Sequence, residues 1–313
     1  MELLAVSIDV DALRLYRSIH GLGAGEGADD PIFTVALPRF FALIGELGVP
    51  ATLFVVGADA ERSPEAFAPV TATGSEVASH SYGHDYRLTR RPPDEIRDDL
   101  VRADHALRPL NLDRPIAGFR APGYNVSPAL LEAVAALGYR YDSSLLPAPL
   151  YFAARAAAIG LYRVRRHPSR SIPGDPRQFL GPLEPYRMEP SRAWARAPEG
   201  SLVELPMACE PTSRAPLIGT TWALAGERVR RWMLRSVLRK LSCIVLELHA
   251  IDLLDTTDHP ELGSLADAQR DLRIPASEKV AAFRALIGAI KDTREAVTCA
   301  TIAERLRGCV PDP

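Results

Sequence analysis

The feature that most constrains the fold is an alternation of short apolar runs with segments of helical periodicity. In the helical segments apolar residues recur every three or four positions, as from Leu37 to Leu47. The apolar runs are candidates for buried strands. They lie at residues 3–8, 51–56, 76–78, 116–119, 139–142, 202–206, 244–248 and near 297. Seven or eight such units predict an α/β fold whose mostly parallel sheet closes into a distorted (β/α)7-8 barrel.

No internal repeat or domain boundary is visible in the chain. Its 313 residues fit one large domain or two small ones. We therefore predict a single domain over residues 1–313. From about 147 to 198 the alternation gives way to a segment rich in proline and arginine, which predicts an irregular insertion in the barrel.

Polar side chains stand where the predicted strands end. They are Asp9, Asp11, His80, His84, Arg120, Asp142 and His249. In (β/α) barrels the chemistry lies at the carboxyl ends of the strands, so these side chains are predicted to share one face.

Two imidazoles four residues apart are a natural pair of metal ligands. For each residue taken alone, the alternative is a structural role: a cap, a surface ion pair, a buried histidine or a turn.

Together these signatures resemble the motifs of the polysaccharide deacetylase family, also called the NodB-homology or carbohydrate esterase family 4. The resemblance covers about residues 3–255. It rests on five motifs in the family's order: Asp9-Val10-Asp11, His80-Ser81-Tyr82-Gly83-His84, Arg120-Ala121-Pro122-Gly123, Asp142 and Leu246-Glu247-Leu248-His249. It implies the family's barrel and a hydrolase that cleaves the amide of an N-acylated amino sugar.

The resemblance also implies a metal site, and the chemistry of amide hydrolysis agrees with it. Asp11, His80 and His84 would bind one divalent ion and leave coordination positions open, as a catalytic site requires. Zinc is the default ion for these ligands, with manganese, cobalt and nickel as alternatives.

The remaining motif residues are predicted to handle protons and charge. Asp9 would be the general base and His249 the general acid. Arg120 would keep Asp9 ionised, and Asp142 would orient His249 by accepting its other N–H. A backbone N–H near Tyr124 or Asn125 would stabilise the oxyanion.

The sequence departs from the family's usual pattern at two points. Val10 separates the two aspartates, and Ser143 follows Asp142 where the family often has tryptophan. The aspartate spacing is more similar to the branch that deformylates an aminoarabinose attached to a lipid carrier, and related spacings occur in enzymes acting on cyclic ureides and imides. The activity therefore stays open. The first alternative is removal of an N-acetyl or N-formyl group from an amino sugar in a glycan, on a nucleotide or on a lipid. The second is hydrolysis of a small cyclic amide, ureide or imide. The third is sugar binding without catalysis.

Composition bounds the partners and the location. A net charge of −2 gives no electrostatic attraction to nucleic acid. Four cysteines without CxxC spacing are predicted to be reduced core residues: Cys209, Cys243, Cys299 and Cys309. The N-terminus lacks the features of a signal peptide, so we expect a cytoplasmic protein, with the inner face of the membrane as the alternative location.

Two arginine-rich stretches remain. Residues 150–170 combine apolar side chains with clustered arginines, which suits either peripheral contact with a bilayer or a lid packed on the barrel mouth. In the helix around Arg231, the arginines are predicted to be a solvated face. Its predicted apolar face consists of Val229, Trp232, Met233 and Val237.

Overall fold

The computed structural model describes residues 2–23, 29–112, 115–154, 156 and 176–308. Within these ranges nine strands form one sheet. They are β1 (Leu3–Val10), β2 (Ala51–Val55), β3 (Glu76–Ser79), β4 (Gly118–Phe119), β5 (Tyr141–Asp142), β6 (Tyr186–Met188), β7 (Leu202–Glu204), β8 (Cys243–His249) and β9 (Glu295–Ala296).

The α-helices mostly lie between the strands. They are α1 (Leu13–Ile19), α2 (Leu37–Leu47), α3 (Gly57–Arg62), α4 (Pro69–Ala72), α5 (Pro93–Leu107), α6 (Pro128–Ala136), α7 (Gly219–Leu224), α8 (Glu227–Lys240), α9 (Leu262–Leu265), α10 (Ala276–Lys291) and α11 (Cys299–Gly308). A further helical segment covers residues 149–154.

The sheet is a distorted barrel, as predicted. Its strand order is β6, β7, β5, β4, β3, β2, β1, β8, and β9 pairs with the start of β1. All pairings are parallel except that of β6 with β7. Beyond β7 the backbone N–H of Ala208 donates to Val245 of β8 at 2.9 Å, and Ile218 forms an isolated bridge with Glu247. An irregular segment therefore joins β8 to the region beyond β7.

Strand β1 shows how the barrel separates its two faces. Leu4, Val6, Ile8 and Val10 belong to the large core cluster that includes buried residues of α2 and α5. Successive side chains of a strand point to opposite faces. The intervening residues 3, 5, 7 and 9 therefore point to the barrel interior, where Leu3 and Ala5 pack with side chains of β2, β5 and β7. Asp9 thus reaches the interior at the carboxyl end of the strand.

Local sequence signals place the helices where they were predicted. The Ser127 hydroxyl accepts a hydrogen bond from the Leu130 N–H at 3.3 Å and caps α6, and Pro128 takes its first position. Gly48 ends α2 with φ +60, a left-handed conformation that glycine adopts without strain. The buried face of α5 consists of Ile96, Leu100, Ala103 and Leu107, as its periodicity predicts.

Two predictions about local structure need correction. The predicted insertion at 147–198, described at 147–154, 156 and 176–198, contains the short antiparallel strand β6, which three residues are too few to reveal by alternation. On α8, Met233 and Val237 are buried, but Val229 and Trp232 are 47% and 46% exposed. At 100° per residue Trp232 is turned away from the buried pair, whereas Val229 lies only about 40° from Met233 and is exposed in the first turn of the helix.

Three of the four cysteines lie in the described residues. Cys209, Cys243 and Cys299 are buried and form no disulfide, as predicted, and Cys309 lies outside these residues. Of the helices in the described part of the chain, none is long and apolar enough to cross a membrane.

Gly118→Ala is expected to destabilise the fold. Gly118 pairs with Tyr141 in the sheet, and a Cβ at this position would lie 1.8 Å from Cζ of the Tyr141 ring. Because Tyr141 is fully buried, we expect the free energy of unfolding to fall by about 1–3 kcal/mol or more, the usual cost of overpacking a core. Urea-induced unfolding followed by circular dichroism measures it.

Gly45→Ala is the matched control. Gly45 lies in α2, and a Cβ there would meet nothing within 4 Å. Alanine should be neutral or stabilise the protein by up to about 1 kcal/mol. Equal stability of the two variants would contradict the packing argument.

Candidate active site

The polar residues at the ends of β1, β3, β4 and β8 meet at one rim of the barrel. Asp9 is in register with His249 of β8 on one side and with Phe54 of β2 on the other. The backbone N–H of Arg120 donates to Ser79 O at 2.9 Å, which places Arg120 beside His80. The prediction that these residues share one face is confirmed for Asp9, Asp11, His80, His84, Arg120 and His249.

A tight loop holds the second histidine of the pair. The backbone N–H groups of Tyr82 and Gly83 donate to the Asp99 carboxylate of α5 at 2.9 and 3.2 Å. The Ser81 hydroxyl accepts from the His84 N–H at 3.0 Å. Ser81 and His84 both have positive φ, which costs non-glycine residues free energy. These hydrogen bonds offset that cost and turn His84 back toward His80.

Asp11, His80 and His84 form a compact group of three donors. Oδ1 of Asp11 lies 3.5 Å from Nε2 of His80 and 3.3 Å from Nε2 of His84. Nδ1 of His80 lies 2.8 Å from the carbonyl oxygen of Arg120. Because a carbonyl can only accept, Nδ1 carries the proton and Nε2 presents its lone pair to the group.

This group fits a divalent metal ion. Oδ1 of Asp11 is buried and has no hydrogen-bond partner among the described residues, an arrangement that is costly unless a cation satisfies it. Burial lowers the pKa of His80, and it lowers the pKa of His84 to about 4, so both imidazoles are neutral, as metal ligands must be. Two imidazoles and one carboxylate match the ligands of catalytic zinc sites.

Asp9 is buried against a buried cation. Nη1 of Arg120 donates to Oδ1 of Asp9 at 2.5 Å, and Nη2 donates to the hydroxyls of Ser7 and Ser143 at 3.0 Å each. The guanidinium also lies 3.9 Å from the centre of the Phe54 ring. Burial acts to raise the pKa of Asp9, but the charges of Arg120 and the nearby histidines outweigh it and lower that pKa. Asp9 is therefore ionised at neutral pH.

His249 lies on the opposite side of Asp9 from Arg120. Its Nε2 is 4.0 Å from Oδ2 of Asp9, and its Nδ1 is 3.4 Å from Oε1 of Glu247. The Tyr124 hydroxyl donates to the same Glu247 oxygen at 2.6 Å. Burial acts to lower the pKa of His249, but the charges of Glu247, Asp9 and Asp252 raise it to about 9. The imidazole is therefore a protonated group at neutral pH.

The predicted contact between Asp142 and His249 is wrong. Four strands lie between β5 and β8 on one side of the barrel, and β7 with the irregular segment lies between them on the other. The Asp142 carboxylate instead accepts from the hydroxyl and the backbone N–H of Ser144, at 2.7 and 3.2 Å, and lies beside Glu204 in the β5–β7 register. Glu247 takes the position predicted for Asp142. Its signal was present in the sequence, because a residue two positions before His249 in a strand faces the same side.

Of the two predicted oxyanion donors, the backbone N–H of Tyr124 needs correction, and that of Asn125 stays a prediction. The Tyr124 N–H is already committed to the Ala121 carbonyl at 2.9 Å, because Gly123 and Tyr124 form a tight turn with positive φ. Tyr124 contributes its hydroxyl to the site instead. Asn125 is buried, and its side-chain amide lies 3.5 Å from the Pro122 carbonyl.

A cavity of about 560 Å³ opens above these groups. Asp9, Asp11, His80 and His249 line its floor. Its walls include four tyrosines and an exposed leucine, namely Tyr16, Tyr86, Tyr124, Tyr151 and Leu224. The volume lies within the range of small-molecule sites.

Part of the predicted membrane-binding segment contributes to this cavity. Of residues 150–170, those at 150–154 and 156 are described, and the clustered arginines from 163 to 170 lie outside the described residues. Tyr151 lines the cavity, and the Phe152 ring stacks on Phe179 with centroids 4.1 Å apart. The described part thus packs at the barrel mouth, as the lid alternative predicts.

Part of the chain, which includes strands β2 to β4, is similar to proteins of a known family. The family model for polysaccharide deacetylase matches residues 29–141, which include both histidines of the ligand group and Arg120. A chitooligosaccharide deacetylase of Bradyrhizobium sp. (strain ANU 289) is 34% identical over 80 residues, 26% of this chain and 36% of the relative. The chain aligns with between 36% and 43% of the length of the curated relatives it matches.

Two solved structures share the fold over nearly the whole chain. A putative polysaccharide deacetylase from Mycobacterium smegmatis has a TM-score of 0.60 and 20% identity, with 99% of this chain and 94% of that chain covered. PuuE allantoinase has a TM-score of 0.58 and 14% identity, with 99% and 92% covered. At these identities the structures establish the fold. Residues 29–141 are thus similar to polysaccharide deacetylase, and nearly the whole chain has the fold of a solved structure described as a putative member of that family.

Proposed function

We propose that the protein is a metal-dependent hydrolase that removes an N-acetyl or N-formyl group from an amino sugar. One observation carries the proposal: a donor group for a divalent ion, an ionised carboxylate and a protonated imidazole face the same cavity. The donor group is Asp11 with His80 and His84, the carboxylate is that of Asp9, and the imidazole is that of His249.

The residues divide the chemistry of amide hydrolysis between them. A divalent ion held by Asp11, His80 and His84 would supply Lewis-acid polarisation, and zinc is the ion we infer from two nitrogens and one oxygen. Asp9 takes the proton of the attacking water, because Arg120 keeps its carboxylate ionised. His249 gives its Nε2 proton to the leaving amine, so that a neutral amino sugar departs.

The walls of the cavity support a sugar as the substrate. Four tyrosines provide apolar ring faces with a polar edge, a combination suited to a ring that carries both C–H and O–H groups. The similarity to the Bradyrhizobium chitooligosaccharide deacetylase supports the same substrate class. Retention of the acid, the base and the ligand group speaks against a protein that binds sugar without catalysis.

The experiment is a substrate panel with metal-depleted and zinc-restored protein. The panel contains N-acetyl and N-formyl amino sugars, each free, nucleotide-linked and lipid-linked, and one cyclic ureide, scored for released acetate, formate or opened ring. We expect release from at least one amino sugar, dependent on the added ion. Ring opening of the ureide alone would favour the alternative activity, and no turnover of any substrate with the ion restored would overturn the proposal.

Glu247→Gln is expected to move the basic limb of the pH profile of kcat/KM to lower pH. The Glu247 charge is the largest influence that raises the pKa of His249 to about 9. A raised pKa keeps the imidazole protonated below that value, and the proton needed by the leaving group is lost as pH rises through it. Removing the charge lowers the pKa, so activity should fall at a lower pH than in the wild type.

Tyr124→Phe is the matched control for this shift. It removes the hydrogen bond of 2.6 Å to Glu247 without removing the charge, so its basic limb should move less than that of Glu247→Gln. A basic limb that is unchanged in Glu247→Gln would show that Glu247 does not set the protonation of His249.

A further inference from the structure

We propose that the outer side of α8 docks the protein on an anionic lipid bilayer. The helix carries four arginines at spacings of three, four and four residues, which at 100° per residue fall along one side. These are Arg228, Arg231, Arg235 and Arg239, all exposed, and they are called the basic face below. The opposite side of α8 buries Met233 and Val237 against the core.

The charge of the basic face is mostly uncompensated. Among the described residues, Glu227 is an ion-pair partner of Arg231 at 3.5 Å, and no carboxylate pairs with Arg228, Arg235 or Arg239. The side chain of Lys240 adds a further cation at the end of the helix, where its Nζ donates to the Thr212 hydroxyl at 2.7 Å. Since the whole chain has a net charge of −2, this concentration of positive charge gives the molecule an oriented attraction to an anionic surface.

Exposed apolar side chains lie beside the basic face. Leu224, Val229 and Trp232 are 51%, 47% and 46% exposed. Seven large hydrophobic side chains are exposed in the described part of the chain, and these three fall within nine consecutive residues. Tryptophan and leucine beside clustered arginines are the combination found in segments that bind at a membrane interface.

The extent of the basic face favours a bilayer over a single bound phosphate. Arg239 lies eleven positions after Arg228, which is roughly 16 Å along a helix at 1.5 Å per residue. One phosphate cannot reach across that distance, whereas a plane of lipid headgroups presents many. The shallow groove beside the arginines is lined by Thr212, Trp232, Ser236 and Lys240, and none of these side chains is deeply buried.

The docking surface adjoins the catalytic cavity. Leu224 ends α7 and lines the cavity, and α8 begins three residues later, at Glu227. From there α8 runs back to the start of β8 at Cys243, so a bilayer on the basic face would lie along the side of the barrel, with the cavity at its Arg228 end. This inference rests on the proposed function, and it assigns the substrate class as an amino sugar presented at a membrane surface.

The test is co-sedimentation with vesicles of phosphatidylcholine alone or with about one third phosphatidylserine. Wild type should bind the anionic vesicles, and binding should weaken as salt rises. The triple variant Arg228→Ser, Arg231→Ser, Arg235→Ser should lower the partition coefficient on the order of a hundredfold, from the contribution of each basic residue near an anionic surface. Trp232→Ser should also weaken binding. Release of acetate or formate from a soluble substrate should be unchanged in the triple variant, which separates docking from catalysis.

The control variant Arg90→Ser, Arg97→Ser, Arg192→Ser removes three exposed arginines elsewhere and should bind like wild type. Wild type that stays in the supernatant at low salt, or that binds neutral vesicles equally well, overturns the proposal whatever the variants do. Equal binding by the two triple variants overturns the assignment to α8. Vesicle binding abolished by inorganic phosphate at constant ionic strength would assign the arginines to a soluble phosphate ligand instead.

Discussion

His249→Ala is expected to lower kcat about 10²–10⁴-fold while the metal content stays at the wild-type level. The imidazole is the protonated group in the cavity nearest to Asp9, with Nε2 and Oδ2 4.0 Å apart. Without it, the leaving nitrogen must depart as an unprotonated amide anion. His249 is not part of the Asp11, His80 and His84 group, so removing it should leave the ion in place. Steady-state kinetics and elemental analysis of the same preparation test both statements.

His20→Ala is the control for that result. His20 also lines the cavity, but in the described residues it belongs neither to the Asp11, His80 and His84 group nor to a second cluster of possible donors, Asp9, Glu247 and His249. Its loss should change kcat less than tenfold, within the ordinary range of a cavity contact. Full activity of His249→Ala would exclude this residue from the proton transfer.

His84→Ala is expected to lose both the bound ion and the activity. Its Nε2 lies 3.3 Å from Oδ1 of Asp11, and without it two donors remain for the ion. The loss of affinity should exceed the roughly 10–100-fold that follows removal of a hydrogen-bond partner of a ligand. Wild type should contain about one divalent ion per chain, and the variant should contain far less after dialysis.

His105→Ala, an exposed histidine on α5, should retain the ion of the wild type. An ion content of His84→Ala equal to the wild type would show that the metal lies elsewhere. Activity that returns in His84→Ala at high metal concentration would instead support the assignment, because it would show weakened binding at the same site.

The parts of the structure that could be predicted from the sequence are those that depend on periodicity and on strand ends. The apolar runs ending at Asp9, His80, Arg120 and His249 were sufficient to place these residues on one rim, because parallel strands share the direction of their carboxyl ends. The helix boundaries followed from local signals such as Ser127 before Pro128.

The parts that could not be predicted depend on which strands and side chains lie opposite one another. Asp142 and His249 both end strands, but the sequence does not state that Asp142 meets Ser144 and that His249 meets Glu247. The Tyr124 N–H is used within its own turn, which a motif cannot reveal. Trp232 looked like a core residue because apolar character and burial usually coincide, and its position on the outer side of α8 required the helix to be placed against the sheet.

Arg120 holds the proposed general base, Asp9, more rigidly than the proposed general acid, His249, is held. Its guanidinium connects β1 through Asp9 and Ser7 to Ser143 after β5, and it covers the Phe54 ring of β2. Any substitution that alters the base must therefore also disturb the inner wall of the barrel. The His249 ring is partly exposed, and its Nδ1 lies 3.4 Å from a single carboxylate, that of Glu247. Substitutions around His249 should therefore be the ones that adapt the enzyme to a new leaving group or a new working pH, because they cost little folding stability.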